Sequence, residues 1–130
     1  MDVNACIETS IATLEIRDGI LYLILKKDAN VDLETVIETV EVRKEMQGGK
    51  KMLILVDNRE VWQVTKEAQV YSSSKEVGEL SIAMALLSGA SLPVMLISNF
   101  FMRFNKLHSP TKIFRDEEKA IEWLNQFKEE

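Results

Sequence analysis

The side chains that could do chemistry are few and lie far apart along the chain. His108 is the only histidine and Cys6 is the only cysteine. A metal site built from two or more histidines is therefore excluded, and no local Cys/His spacing is present. No nucleophile-elbow sequence accompanies the serines, so a Ser-His-Asp triad has no local support. We therefore assign no catalytic residue and no metal ligand.

The glycines do not form a phosphate-binding loop. Gly48 and Gly49 precede Lys50 and Lys51, but this pair stands between a predicted helix and a predicted strand. A phosphate loop needs the opposite order, in which a strand leads through glycines into a helix. The glycine pair is interpreted as a helix C-cap, and no cofactor is expected.

A polar loop at Asp57, Asn58 and Arg59 follows a buried apolar strand. In an open α/β sheet, ligands bind outside the carboxyl ends of parallel strands. Arg59 could therefore pair with an anionic ligand group. The alternative is a polar turn in which Arg59 pairs with a neighbouring acid, because loops are polar for solvation alone. An enzyme that uses Arg59 and His108 requires both side chains to converge in one pocket.

Residues 92–104 predict a helix that is apolar almost all round, with Met95, Phe100, Phe101 and Phe104 as its candidate contact residues. A helix that packs on a sheet needs one apolar stripe. The excess indicates a second contact, which could be a dimer interface, a protein partner or an apolar ligand. Plain core packing remains the alternative, because scattered exposed apolar residues are normal.

Composition limits the class of protein. The net charge of -5 argues against nucleic acid as the main partner, because phosphate binding needs a basic surface. No uninterrupted apolar run reaches the roughly 20 residues of a membrane span, and no signal peptide is visible. A single cysteine fits a reducing compartment, so we expect a cytoplasmic location. The length of 130 residues predicts one domain, with residues 1–10 as a lead-in.

The first half of the chain predicts a hairpin and then a helix. Asp18-Gly19 joins two β-rich runs, which is a strong hairpin signal. The second run is apolar on both faces and predicts an interior strand. A helix follows over residues 32–47, with Asp32 as its N-cap. Its apolar face is expected to contain the residues at helical spacing, namely Leu33, Val36, Ile37 and Val40.

The second half alternates strands and helices. Thr65 and Asp116 are expected to cap two of the helices. The predicted elements are a strand at 52–56, a helix at 66–76, a strand at 82–87, the helix at 92–104, a strand at 113–114 and a helix ending near Phe127. The order β-β-α-β-α-β-α-β-α predicts an α/β fold with a mixed, mainly parallel sheet of about five strands and about four helices.

This order, together with the closing Phe114-Arg115-Asp116-Glu117-Glu118-x-Ala120-x-x-Trp123-Leu124, resembles the SpoIIAA-like, STAS-like family of small bacterial domains. The resemblance extends from about residue 11 to 127, and its motifs are structural. It implies a small soluble domain that is often a homodimer and is not an enzyme. It also implies a regulatory module that binds a protein partner. For structurally similar proteins, a cavity between sheet and helices that takes up apolar or lipid-like molecules is suggested.

Family members are switched by a serine phosphorylated in an Asp-Ser-Ser-Gly type loop at a helix start. The equivalent region here reads Gln63-Val64-Thr65-Lys66-Glu67, so Thr65 is the only hydroxyl at the cap and no phospho-switch serine is recognisable. The first interpretation is a non-catalytic regulatory or interaction module that forms a homodimer. The alternative is a binding protein for a small apolar or lipid-like ligand, and the second alternative is the enzyme. The candidate ligand or partner surface comprises Asp57, Arg59, Thr65, Met95, Phe100, Phe101 and Phe104.

Overall fold

The computed structural model describes residues 6–60, 63–88 and 109–128. The strands are β1 (Cys6–Glu8), β2 (Ala12–Arg17), β3 (Ile20–Leu25), β4 (Asn30–Val31), β5 (Met52–Asp57), β6 (Gln63–Val64), β7 (Ser81–Leu87) and β8 (Thr111–Phe114). The helices are α1 (Leu33–Gln47), α2 (Lys66–Ser72), α3 (Lys75–Gly78) and α4 (Glu117–Asn125).

Six of the strands form one sheet in the order β1-β2-β3-β5-β7-β8. The pairs β1–β2 and β2–β3 are antiparallel, whereas β3–β5, β5–β7 and β7–β8 are parallel. The predicted α/β class with a mixed, mainly parallel sheet is confirmed. The sheet is larger than the five strands expected, because β1 forms within the predicted lead-in and pairs Cys6–Glu8 with β2.

The hairpin turn forms where the sequence predicts it. Asp18 has a φ of 50° and Gly19 a φ of 80°, so both central residues adopt the left-handed conformation that this turn needs. The turn sets β2 and β3 in register from Ala12↔Leu25 to Arg17↔Ile20. β3 then pairs with β5 on its other side, which makes it the interior strand that its apolar faces predict.

Several local predictions need correction. The helix expected over 66–76 is two helices, because Ser73 ends α2 and Ser74 caps α3 by accepting a hydrogen bond from the Val77 amide at 3.4 Å. Asp116 stands at the N-cap of α4, but its side chain makes no capping hydrogen bond. The two-residue strands β4 and β6 pair only with each other and carry no sequence signal that marks them as strands.

Helices cover both faces of the sheet. On one face, α1, α2 and α3 pack against alternate strand residues such as Leu21, Ile54 and Met84. On the other face, α4 contributes Ala120 and Leu124 to a second cluster with the intervening strand residues. This alternation follows from the two-residue period of a strand, which sends successive side chains to opposite faces.

The buried face of α1 differs from the expected one. Leu33 and Ile37 are 38% and 39% exposed. The residues of α1 that are buried are Val36, Thr39, Val40, Arg43, Met46 and Gln47. The hydrophobic spacing correctly places Val36 and Val40 on the buried face but wrongly adds Leu33 and Ile37. Half of the buried face consists of the polar residues Thr39, Arg43 and Gln47.

The helix predicted at 92–104, including Met95, Phe100, Phe101 and Phe104, lies outside the described residues, as does His108. Within the described ranges, no helix combines the length and the apolar character needed to cross a membrane.

Candidate functional site

A cavity of about 130 Å³ lies between the sheet and the helices α1, α2 and α3. Apolar side chains form most of its wall. The strands and the residue just before β2 contribute Ile11, Leu23, Leu25, Val31, Ile54, Val56, Val64, Met84 and Leu86. The helices contribute Val36, Val40 and Val77. The polar members of the wall are Thr39, Arg43, Asn58, Gln69 and Ser72.

The strand residues of the wall follow directly from the pleat. Leu23 pairs with Val56, and Val56 pairs with Leu86, so their side chains lie side by side on one face of three adjacent strands. Ile54 and Met84 form the next row of the same face. α1 faces these rows with Val36 and Val40, one helical turn apart. These side chains do not fill the space between the two layers.

Among the described residues that line the cavity, Arg43 is the one that carries a charge, and it is 3% exposed. Its Nε donates to Gln47 Oε1 at 2.6 Å, and its Nη2 donates to Ser81 Oγ at 2.6 Å. Neither acceptor is a carboxylate. Burial lowers the pKa of Arg43 to about 10, so the guanidinium still carries its charge at neutral pH. The described part of the wall therefore combines one buried, positively charged residue with uncharged side chains.

Gln47 holds the guanidinium in a fixed orientation. Its Nε2 donates to the carbonyl oxygen of Lys50 at 2.7 Å and to that of Leu80 at 2.9 Å. With both amide protons engaged on the backbone, Oε1 is left to accept from Arg43. The side chain of Arg43 is thus positioned by polar groups that are themselves fixed to the ends of two loops.

Asn58 contributes a second polar position, at the other end of β7. The backbone amide of Asn58 donates a hydrogen bond to the carbonyl oxygen of Leu87, the last residue of β7. Arg43 is hydrogen-bonded to Ser81, the first residue of that strand. Asn58 Oδ1 is buried and has no hydrogen-bond partner among the described residues. A buried acceptor of this kind costs about 1–3 kcal/mol when nothing donates to it.

The predicted Asp57–Arg59 loop lies at the carboxyl ends of the parallel strands. Arg59 donates from Nε to Asp57 Oδ1 at 3.0 Å and from Nη2 to Asp57 Oδ2 at 2.8 Å, with Glu117 at 3.7 Å. The hydrogen bond from Arg59 to Asp57 raises the pKa of Arg59. The Asp57 carboxylate thus already pairs with the Arg59 guanidinium through two hydrogen bonds. Asn58, which stands between these two residues, is the residue of this loop that lines the cavity.

Thr65 is the N-cap of α2, as its sequence context predicts. Its Oγ1 accepts a hydrogen bond from the Ala68 amide at 3.1 Å. The preceding residue, Val64, lines the cavity, whereas Thr65 does not. The geometry gives Thr65 a structural task at the helix start.

Within the described residues, no group of three or more His, Cys, Asp or Glu side chains is arranged to hold a metal ion. Arg59 is described but His108 is not, so their convergence in one pocket stays a prediction. The same holds for a contact surface formed by Met95, Phe100, Phe101 and Phe104.

The resemblance suggested a cavity between the sheet and the helices, but sequence reasoning did not identify the residues that line it, Arg43 among them. A charged residue on a helix is ordinarily assigned to the solvent face. The available signal was spacing, because Arg43 follows Val36 by seven positions and Val40 by three, which places all three on one helical face.

Three comparisons relate the chain to known proteins. A family model described as "Domain of unknown function (DUF7793)" matches residues 14–128. No curated protein matches the chain. A similar solved structure is that of an uncharacterised protein from the DUF3478 family with a SpoIIAA-like fold, from Shewanella loihica PV-4. The alignment covers 95% of this chain and 98% of that chain, with a TM-score of 0.63 and 18% identity. This likeness confirms the predicted SpoIIAA-like fold.

Proposed function

The chain belongs to the DUF7793 family, and we propose that it is a binding domain for a small apolar molecule rather than an enzyme. The observation that carries this proposal is the cavity of about 130 Å³ between α1 and the sheet. The sequence leaves several functions open, and the cavity favours a ligand-binding protein over a protein-interaction module.

The size of the cavity limits the ligand. An apolar cavity of about 150 Å³ stays dry and can bind benzene. The cavity here is slightly smaller and similarly apolar. It therefore suits a ring or a short branched chain of about six carbons, and not a long acyl chain.

An empty cavity also destabilises the fold. At about 24 cal/mol per Å³, a fully enclosed void of 130 Å³ would cost about 3 kcal/mol relative to a filled interior, and this cavity, which is partly open to solvent, costs less. A ligand that fills it recovers part of this free energy as affinity. Retaining such a void is compatible with a role in binding, because ordinary cores pack without voids of this size.

Methyl-detected NMR tests the proposal. The protein is titrated with cyclohexylmethanol, a neutral probe of suitable size. We expect saturable shifts of methyl signals on the α1 side of the sheet, from Val36, Val40 and Ile54. Signals from Leu55 and Leu124, on the α4 side, should not move, because those side chains belong to the second cluster.

A pair of variants provides the control. Val40→Phe places a ring in the cavity and should abolish the shifts, whereas Val70→Phe makes the same change at a 47% exposed position of α2 and should leave them intact. Shifts that appear on both faces of the sheet, or that survive Val40→Phe, would show that the probe binds elsewhere and would overturn the proposal.

The homodimeric interaction module is the second candidate. The observation that favours it is the exposure of Leu33 and Ile37, four positions apart on the outer face of α1. In this candidate a second copy of the chain covers that face. Sedimentation equilibrium over a range of concentrations tests it, with Ile37→Glu expected to give a monomer. A wild-type chain that stays monomeric at every concentration would exclude the homodimer. The regulatory partner, the contact surface at Asp57, Arg59 and Thr65, and the cytoplasmic location stay predictions.

A further inference from the structure

The guanidinium of Arg43 is a buried cation with no counter-anion within the described ranges. No ion pair that joins described residues includes it, and none of the residues that line the cavity is an aspartate or a glutamate. Buried charges in proteins are ordinarily paired, because an isolated ion loses its hydration without compensation. Among the described residues, the Arg43 guanidinium therefore has no anionic partner to compensate for its lost hydration.

The guanidinium also has donors to spare. A guanidinium carries five N–H groups. In the described part of the chain, one of them donates to Gln47 and one to Ser81. Arg43 is also one of the residues that line the cavity, and we take its remaining donors to face that space.

Resting on the proposed function, we propose that the ligand is a small monocarboxylate whose carboxylate pairs with Arg43 and whose apolar body occupies the space between α1 and the sheet. The planar fork of arginine matches a carboxylate in two parallel hydrogen bonds. Ligand and side chain would then neutralise each other inside the cavity.

The charge count separates a carboxylate from a phosphate. Arg43 is the single cation among the described residues of the wall, and a monoanion neutralises that charge. A phosphate monoester carries a charge of about -1.5 to -2 at neutral pH and would leave uncompensated negative charge among apolar side chains. The size limit of about six or seven carbons admits cyclohexanecarboxylate or benzoate and excludes common fatty acids.

Gln47 is a positioning residue in this arrangement. Its amide is fixed by the carbonyl oxygens of Lys50 and Leu80, so the guanidinium is oriented before a ligand arrives. Preorganisation of this kind reduces the entropy that binding must overcome. The hydroxyl of Ser81 completes the orientation from the first residue of β7.

The test compares two ligands that differ only in charge and head group. Calorimetric titration at pH 7 measures the affinities of cyclohexanecarboxylate and of neutral cyclohexylmethanol. In the wild-type protein, we expect the carboxylate to bind at least about tenfold more tightly, as a buried charge-assisted pair provides.

Two substitutions of Ser81 test whether a counter-anion from the protein itself can replace the carboxylate of the ligand. Ser81→Asp places a carboxylate where the serine hydroxyl now contacts Arg43, and it should abolish the preference for cyclohexanecarboxylate while cyclohexylmethanol still binds. Ser81→Asn has nearly the same shape without the charge and should keep the preference. Should Ser81→Asp fail to fold, Arg43→Met gives the same readout by removing the cation.

The outcomes separate the two proposals. Equal affinity of the two ligands for the wild-type protein overturns the assignment of a carboxylate and leaves the binding function intact. A preference that persists in both Ser81→Asp and Arg43→Met also overturns the assignment. If neither ligand binds the wild-type protein, the proposed function fails, and this inference fails with it.

Discussion

Arg43 Nη2 donates a hydrogen bond to Ser81 Oγ at 2.6 Å, across 38 positions of the sequence. The bond joins the buried face of α1 to the first residue of β7, and both side chains are nearly inaccessible to solvent. It places a positive charge against the sheet at the edge of an apolar cavity.

Replacing Arg43 by methionine should change the stability of the ligand-free protein by less than about 1 kcal/mol, because it removes the desolvation cost of a buried charge that no described carboxylate offsets. The loss of a donor to Gln47 and Ser81 opposes that gain. Urea unfolding monitored by circular dichroism measures the difference. A loss of more than about 3 kcal/mol would show that Arg43 is needed for folding by itself.

Gln47→Leu should destabilise the protein by about 2–4 kcal/mol, since it removes the side-chain donor to the carbonyl oxygen of Lys50, one of the two donors to that of Leu80, and an acceptor from Arg43. The matched control is Gln126→Leu, at an exposed position after α4, where we expect a change within about 0.5 kcal/mol. Equal effects of the two substitutions in urea unfolding would contradict the positioning role of Gln47.

Val40→Phe should raise the stability of the ligand-free protein. If the ring fills half of the 130 Å³, the gain is about 1.5 kcal/mol. Val70→Phe, outside the cavity, should give no such gain. Thermal unfolding in the absence of ligand measures both. A lower stability for Val40→Phe would indicate that the space is already closed by its walls, because overpacking is destabilising.

Asp32→Ala should destabilise the protein most at neutral pH. Asp32 Oδ1 accepts from the Thr35 amide at 2.9 Å, and this hydrogen bond lowers the pKa of Asp32 below its ordinary value of 3.8. A carboxyl group with a lowered folded pKa stabilises the fold above its unfolded pKa. That contribution fades as the pH falls through the folded value.

Urea unfolding of wild type and Asp32→Ala at pH 7 and near pH 2 checks this expectation. The difference between the two proteins should shrink at the lower pH. Asp32→Asn caps the helix without a charge. The difference in free energy of unfolding between Asp32→Asn and Asp32→Ala should therefore change little with pH. A difference between wild type and Asp32→Ala that stays constant over this range would contradict the assignment to the ionised carboxylate.

The parts of the fold that the sequence predicts are those determined locally. The Asp18-Gly19 turn, the Asp32 cap and the Gly48 stop each depend on a few adjacent residues, and each forms as expected. β4 and β6 could not be predicted, since each consists of two residues and forms only by pairing with the other. The break between α2 and α3 depends on which of several serines caps a helix, and composition alone does not decide that.

The residues that line the cavity escaped prediction for a different reason. The position of the cavity depends on the face that α1 turns to the sheet, and the apolar residues of α1 suggest a face that includes Leu33 and Ile37. The structure instead buries Arg43 and Gln47, because their polar groups satisfy each other and contact Ser81, Lys50 and Leu80. Those partners lie elsewhere in the sequence, so no pattern within the helix indicates them.

A crystal structure of the protein saturated with cyclohexanecarboxylate tests most directly whether the cavity beside α1 holds a small carboxylate paired with Arg43. We expect the ring among Val36, Val40 and Ile54, with carboxylate oxygens within about 3 Å of the Arg43 guanidinium. An empty cavity at saturating ligand, or a ring in the cavity with its carboxylate turned away from Arg43, would contradict this expectation.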